Sequence, residues 1–299
     1  MARRAVLLKT QDAIKTYRYL RIGMIGAVVL LGASIAIEGS RADCWQTSIS
    51  AYYYTPVRAV FVGTLIAVGL ALVVYKGRGI AEDACLNVAG GLAPVVAVAP
   101  TTDVGRCWSV PPRPLPVEDD GSLATWVVRN IDNNIDALLI AGGFGLLVAA
   151  GIAMVVTRSV RTPITRGGRG TRVSLAITAA ALLAGWWLVE NWDEFTTRAH
   201  GFAALLMFLF LIGAIVVKVV EHRDERDEPW FWIYAAVAAL MILGGVLITT
   251  TRVFEDHTVF ALEAYEIALF AVYWIVQTAE NWNEEVITME PIKADSGRG

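Results

Sequence analysis

Charged residues are scarce in this chain, and so are histidine and cysteine. Asp, Glu, Lys and Arg make up only 18% of the 299 residues, and the chain has three His and three Cys. The His residues show no HxxxH or HExxH spacing, which argues against the compact helical zinc motifs of metalloenzymes. No basic block is interleaved with aromatic residues, so no nucleic-acid partner is expected. Nothing resembles the nucleophile elbow of an α/β-hydrolase.

Long apolar runs dominate what remains, since hydrophobic residues make up 56% of the chain. The runs are about as long as a bilayer is thick, which predicts membrane-spanning helices. The candidate spans, eight in all, are 22–37, 59–75, 84–100, 137–157, 173–189, 201–217, 230–251 and 259–278. The third span contains Gly and Pro and is the one expected to kink or re-enter. The sequence therefore predicts an all-α, polytopic transmembrane helix bundle of about eight helices.

The segments between the spans hold unequal shares of Lys and Arg. With the N-terminus inside, the inner segments hold eighteen of these residues and the outer segments hold seven. The inner loop 158–172 alone has five Arg and no acid, which is a strong cytoplasmic retention signal. Both termini are therefore expected in the cytoplasm. The predicted organisation is a basic N-terminal segment (1–21), a bundle (22–278) with an extracytoplasmic loop (101–136), and a C-terminal tail (279–299).

Two of the three cysteines fall in predicted outer loops. Cys44 and Cys107 are each followed by Trp, whereas Cys85 lies at the inner end of the third span. In an oxidising exterior the two outer thiols can pair. We expect a disulfide that ties the loop 101–136 to the first outer loop, and the alternative is two unrelated buried thiols.

The last span carries acids where lipid is expected. Polar and aromatic residues recur every three or four positions on one helical face, at Glu263, Glu266, Phe270, Tyr273, Gln277 and Glu280. An ionised carboxylate in hydrocarbon costs at least about 2.5 kcal/mol, so Glu263 and Glu266 are expected to face the bundle interior or a wet cavity, or to carry a proton. The alternative is that both reach water at the outer interface. Together with Tyr273, these acids are candidate ligands for a cation or a proton.

Further polar residues gather at the predicted outer ends of the spans. Glu190, Asp193 and His200 surround the entry to the sixth span, and His257 precedes the eighth. Glu190 is a further candidate binding residue. His200 and His257 with Asp193 would suit zinc or another divalent cation. The alternative is a hydrated rim, without a cofactor, whose carboxylates pair with nearby Arg.

A Tyr-rich segment, Ser-Ile-Ser-Ala-Tyr-Tyr-Tyr-Thr-Pro-Val-Arg, precedes the second span and runs from Ser48 to Arg58. Three successive Tyr point in different directions, so they are expected in the lipid headgroup belt rather than in the core. Ser50 and Arg58 are candidate ligands for a lipid headgroup or a substrate. A hydroxyl, a carboxylate and His200 on one rim also allow a nucleophile–base arrangement.

Two stretches of the chain resemble a known group of proteins. They are SISAYYYTPVRAVFVGTLIAVGLALVVYKGRGIAEDACLNVAGGLAPVVAVAPT at 48–101 and AHGFAALLMFLF at 199–210, together about a quarter of the chain. Their Tyr-rich entry, Phe-Val-Gly span, Leu-Asn-x-Ala-Gly and later His-Gly are similar to those of a broad set of uncharacterised bacterial polytopic membrane proteins. The resemblance implies a helix bundle in the cytoplasmic membrane of a bacterium, and it carries no assigned activity.

Three functions remain open from the sequence, one of them enzymatic. The first is a bundle that binds or transports a small cation, proton or lipid headgroup through an outward-facing acidic site between helices. The second is a metal-dependent lipid hydrolase at the outer rim, although the chain lacks the paired His on the last helix that ceramidase-like zinc hydrolases have. The third is a structural or accessory subunit that docks its polar stripe on a partner helix. Expected partners are membrane lipids, a second copy of the chain or a membrane partner protein.

Overall fold

The computed structural model describes residues 2–75, 77, 79–159, 166–192, 194–224 and 226–282. In these ranges the backbone forms α1 (Ala2–Ala42), α2 (Arg58–Val74), α3 (Ile80–Val98), α4 (Thr125–Ser159), α5 (Arg166–Asn191), α6 (Phe195–Glu221), α7 (Pro229–Thr251) and α8 (Thr258–Glu280). Two short 3-10 helices, Ser50–Tyr54 and Glu255–His257, precede α2 and α8. The described residues include no β-strand, so the predicted all-α class is confirmed.

Most of these helices have the length and composition of membrane spans. Within the described ranges six of them, α1, α3, α4, α6, α7 and α8, are long and apolar enough to cross a membrane. α2 is apolar as well but has only 17 residues. Apolar helices of bilayer length in this number indicate a multi-pass membrane protein. The predicted total of about eight spans and the cytoplasmic position of both termini stay predictions.

Six helices close into a ring in the order α1, α2, α3, α6, α7 and α8, and α8 packs back against α1. An apolar core that includes Leu72, Leu86, Ile215 and Trp274 fills much of the ring. α4 lies outside the ring, where it contacts α3 and α6, and α5 packs on α4. The face that α8 turns toward the ring therefore meets side chains from several other helices.

α2 and α3 pack backbone to backbone at two glycines. A Cβ atom on Gly90 would lie 2.6 Å from the Gly69 carbonyl oxygen, and a Cβ atom on Gly69 would lie 2.7 Å from that of Gly90. Small residues at a helix interface allow this close approach, which membrane helices use in place of a hydrophobic driving force. α3 continues as one helix through Pro94, so the third span does not re-enter.

The predicted loop 101–136 is shorter in the structure because α4 already begins at Thr125. Val127, Ile131 and Ile135 recur every four residues and are at most 4% exposed, while the polar residues between them lie on the other side of the helix. These residues form an amphipathic helical segment. Its mean hydropathy is too low for the sequence to reveal it as part of a membrane span. α1 is similarly longer than predicted, since it runs unbroken from the segment 1–21 into the first span.

A disulfide joins Cys44 and Cys107, as the sequence predicts. It holds the loop between α3 and α4 against the segment that follows α1. Gln46 strengthens the same junction, because its Nε2 donates to the Cys107 carbonyl at 2.5 Å. Gly105 has a φ of 61°, and a Cβ atom there would overlap Gln46 Oε1, so only glycine fits this turn.

Candidate functional site

The polar stripe of α8 faces the interior of the ring. Glu266, Phe270, Tyr273, Gln277 and Glu280 are each at most 7% exposed, and Glu263 is half-buried. Val272 and Ile275, which lie off the stripe, are 42% and 51% exposed. The expectation that the acids of this helix face protein rather than lipid is therefore confirmed.

Glu263 binds the start of the 3-10 helix Ser50–Tyr54, which lies across one end of the ring. Its Oε2 accepts hydrogen bonds from the backbone N–H groups of Ile49 at 2.6 Å and Ser50 at 3.4 Å. Its Oε1 lies 2.8 Å from Ser50 Oγ. The first N–H groups of a helix have no partner inside the helix, so a carboxylate at this position satisfies them and is itself stabilised.

His200 on α6 contacts the same serine from the opposite side. Its Nε2 lies 2.7 Å from Ser50 Oγ, and its Nδ1 lies 2.7 Å from the carbonyl oxygen of Ala99. Ala99 directly follows α3, whose last carbonyl groups need partners from outside the helix. Because a carbonyl can only accept, Nδ1 carries a hydrogen and donates it. We call Ser50, His200 and Glu263 the Ser50 cluster.

Counting hydrogens in the Ser50 cluster leaves one proton to be shared between Glu263 and His200. If the Ser50 hydroxyl donates to Nε2 of His200, its oxygen must accept from a protonated Glu263. If it donates to an ionised Glu263, His200 must be doubly protonated and donate from Nε2. Both arrangements are electrically neutral. If Glu263 were ionised and His200 neutral, the Ser50 hydroxyl would supply the single hydrogen for its two contacts, with Glu263 Oε1 and with His200 Nε2. One of these two short contacts would then lack a hydrogen.

Ser50 and Glu263 contribute to the lining of an otherwise apolar cavity inside the ring. The cavity has a volume of about 70 Å³, and its lining includes Val28 on α1, Val68 on α2 and Met207 on α6. The third polar residue of the lining, Thr64, already donates to the carbonyl of Ala27 at 3.3 Å. One water molecule needs about 10–15 Å³ of cavity volume, so this cavity is large enough for a short alkyl chain.

Glu266 lies one turn from Glu263 but does not reach the Ser50 cluster. Its carboxyl group packs against α7, where a Cβ atom on Gly245 would lie 3.0 Å from Oε1. Its Oε2 has no hydrogen-bond partner among the described residues. A charge would be uncompensated here, so we expect Glu266 to carry a proton. Of the two acids predicted to line one cavity, only Glu263 does so.

The three successive tyrosines are buried, so their predicted place in the headgroup belt is wrong. Tyr52, Tyr53 and Tyr54 are 0%, 3% and 6% exposed. A 3-10 helix points them in different directions. Tyr52 contacts Phe260 of α8, Tyr53 contacts the Arg58 side chain, and Tyr54 contacts the loop between α3 and α4. Burial raises the pKa of Tyr52 and Tyr54, so both phenols stay neutral.

Of the residues predicted for a metal site, His200 and His257 contact different partners. Both ring nitrogens of His200 are engaged within the Ser50 cluster and with Ala99. His257 is exposed, with its Nε2 3.3 Å from the Trp45 carbonyl oxygen. Asp193 lies outside the described residues. In the part of the chain that the structure describes, no group of three or more His, Cys, Asp or Glu is placed to hold a metal ion.

Three other predicted binding residues lie away from the Ser50 cluster. Glu190 is exposed near the end of α5. Arg58 stacks on the ring of Tyr53, with its Cζ atom 4.2 Å from the ring centroid. Tyr273 belongs to a second polar cluster that lies further along α8.

That second group, which we call the Glu82 cluster, consists of Glu82, Lys218, Tyr273 and Gln277. Lys218 Nζ lies 3.3 Å from Glu82 Oε2, and Gln277 Nε2 donates to Glu82 Oε1 at 2.7 Å. All four side chains are at most 1% exposed. The sequence does not reveal this cluster, because Lys218 lies just beyond the predicted span 201–217. The sequence does hold one signal for this cluster, since Lys218 and Glu82 both lie at the ends of apolar runs.

Glu280 is also compensated by a basic group. His222 Nε2 lies 2.9 Å from Glu280 Oε1, and the Tyr234 hydroxyl donates to Oε2 at 2.5 Å. Glu82 and Glu280 thus lie beside a Lys and a His, and Glu263 is linked to His200 through Ser50, whereas Glu266 has no such partner among the described residues.

No protein-family model, curated protein or solved structure matches the chain. The fold and the buried site therefore define the protein only as far as a multi-pass membrane bundle with ionisable side chains in its interior.

Proposed function

We propose that the protein binds a small amphiphilic amine inside the bundle and exchanges it for a proton at Glu263. The observation that carries the proposal is that Ser50 and Glu263 both line the apolar cavity. A protonated amine would lie against Glu263 and Ser50, while its alkyl part fills the space lined by Val68 and Met207.

Exchange follows from charge balance in a low-dielectric interior. Without a ligand, the shared proton keeps the Ser50 cluster neutral. When an ammonium group arrives, an ionised Glu263 beside a neutral His200 again gives a neutral site, so one proton must leave. Proton and amine then compete for the same carboxylate, which is the basis for coupling transport of one to a gradient of the other.

The alkyl chain of the ligand provides a direct test of the cavity's role. Each buried methylene contributes about 0.8 kcal/mol, or roughly a fourfold gain in affinity. Primary alkylammonium ions of increasing length should therefore bind the purified protein with rising affinity until the cavity is full. Alkyl alcohols of the same lengths are the uncharged controls, and we expect them to bind more weakly.

Glu263→Gln should abolish this binding and the uptake of hexylammonium into proteoliposomes with an imposed pH gradient. The substitution keeps the shape of the side chain but removes the charge that the ammonium group needs. Glu266→Gln, one turn along the same helix, is the matched control and should retain both activities. Unchanged uptake by Glu263→Gln would exclude the proposal.

A second candidate function is hydrolysis, because Ser50 Oγ is 2.7 Å from a His200 whose Nδ1 is fixed by a backbone carbonyl. This is the geometry of a nucleophile with its general base. The backbone N–H groups of Ile49 and Ser50 already donate to Glu263, so they are not free to bind an oxyanion. A fluorophosphonate probe that labels the wild type but not Ser50→Ala would favour hydrolysis over amine binding.

A further inference from the structure

An open groove of about 640 Å³ lies on the outer surface of the bundle, between α2, the end of α3 and the first turns of α4. Its polar lining residues include Arg58 and Asn134. Its apolar lining residues include Val62, Gly63 and Val98. A groove with both kinds of lining fits a molecule that is itself amphipathic.

Arg58 is positioned at this groove by the aromatic ring beneath it. Its Nη2 donates to the Tyr53 hydroxyl at 2.6 Å, and its Cζ lies 4.2 Å from the centroid of the same ring. A guanidinium group has five N–H donors, so this contact leaves donors for a ligand. Stacking on a ring restricts the side chain to one orientation, which reduces the entropy lost on binding.

The charge at this groove is positive, and the described residues supply no counter-ion for it. Arg58 is the only charged residue of the lining, and no acid among the described residues forms an ion pair with it. A guanidinium group pairs well with a phosphate, to which it can donate two parallel hydrogen bonds. The amine of a zwitterionic headgroup would find no acid in the lining, so charge complementarity selects a lipid with net negative charge.

We propose that the groove binds one anionic phospholipid, with its phosphate on Arg58 and an acyl chain along Val62 and Gly63. Arg58 begins a helix of 17 residues, close to the length of a membrane crossing, so its guanidinium lies near one end of the apolar segment. That is the depth at which lipid phosphates are found. The inference is independent of the amine exchange proposed for Glu263.

Native mass spectrometry with defined lipids tests the charge requirement. We expect the wild type to retain phosphatidylglycerol at least tenfold better than phosphatidylcholine, and Arg58→Gln to lose this preference. Arg129→Gln, an exposed arginine on the neighbouring α4, is the matched control and should behave as wild type. Equal retention of the two lipids by the wild type would overturn the proposal, as would unchanged phosphatidylglycerol binding by Arg58→Gln.

A second variant tests the apolar wall and leaves Arg58 in place. A Cβ atom on Gly63 would have nothing within 4 Å, so Gly63→Leu adds an apolar side chain to the groove from a position with open space around its Cβ atom. We expect at least a tenfold loss of phosphatidylglycerol, while Gly26→Leu on α1, which is equally open, should have no effect. Full binding by Gly63→Leu would contradict the placement of the acyl chain. Displacement of the lipid by millimolar inorganic phosphate would show that the site recognises a free anion instead.

Discussion

Lys218 Nζ lies 3.3 Å from Glu82 Oε2, and both side chains are completely buried between α6 and α3. Lys218 sits in the last turn of α6 and Glu82 in the first turn of α3, so the pair joins two helices that are distant in sequence. The gain from such a pair is offset by the cost of removing both charges from water. The loss of one partner, however, removes a favourable interaction from a charge that stays buried.

Lys218→Met should therefore destabilise the protein by about 3–5 kcal/mol, since it removes the ammonium group that pairs with the buried Glu82. Adding Glu82→Gln to the same chain should recover part of this loss. The matched control is the exposed pair of Arg198 and Glu194, where Arg198→Met should cost less than about 1 kcal/mol. Thermal unfolding in detergent compares these three variants with the wild type. A double variant less stable than Lys218→Met would show that the pair is not coupled as described.

Gly90→Ala should weaken the junction of α2 and α3, because the added methyl group would lie 2.6 Å from the Gly69 carbonyl oxygen. Overpacking of this kind typically costs about 1–3 kcal/mol. The next residue provides the control, since a Cβ atom on Gly91 meets nothing within 4 Å. Gly91→Ala should be neutral or slightly stabilising, as alanine favours helix more than glycine does. Equal midpoints of thermal unfolding for the two variants would contradict the close packing.

Glu266→Gln should leave stability unchanged within about 0.5 kcal/mol, because a protonated carboxyl and an amide have similar shape and no net charge. If Glu266 were ionised in its buried position, removing the charge would instead stabilise the protein by more than 1 kcal/mol or so. The measurement is the unfolding midpoint of the two proteins at neutral pH. A clear rise in the midpoint of Glu266→Gln would show that this acid carries a charge in the native state.

The features predicted correctly from the sequence depend on periodicity and local chemistry. The three-to-four-residue spacing on α8 fixes which face is polar, and the cost of a charge in lipid then requires that face to meet protein. The pairing of Cys44 with Cys107 follows because both thiols fall on one predicted side of the membrane. The sequence also places Ser50, His200 and Glu263 on one rim, although it does not reveal their mutual distances.

Other features depend on tertiary contacts that a single sequence does not display. Lys218 looks like a loop residue until α3 supplies Glu82 as its partner. Tyr53 appears suited to an interface, yet it is buried because Arg58 folds over its ring. The beginning of α4 was hidden because buried positions such as Ile131 are separated by polar residues. For Lys218 the deciding neighbour is far away in sequence, whereas Arg58 is only five residues from Tyr53.

The most direct test of the account is the number of protons released when hexylammonium binds to the purified protein in weakly buffered detergent solution. Because the Ser50 cluster is neutral both with its shared proton and with a bound ammonium group, the wild type should release one proton per amine bound. Glu266→Gln should behave in the same way. Binding of the amine without proton release, or with equal release from Glu263→Gln, would contradict the assignment of Glu263 as the group that exchanges a proton for a cation.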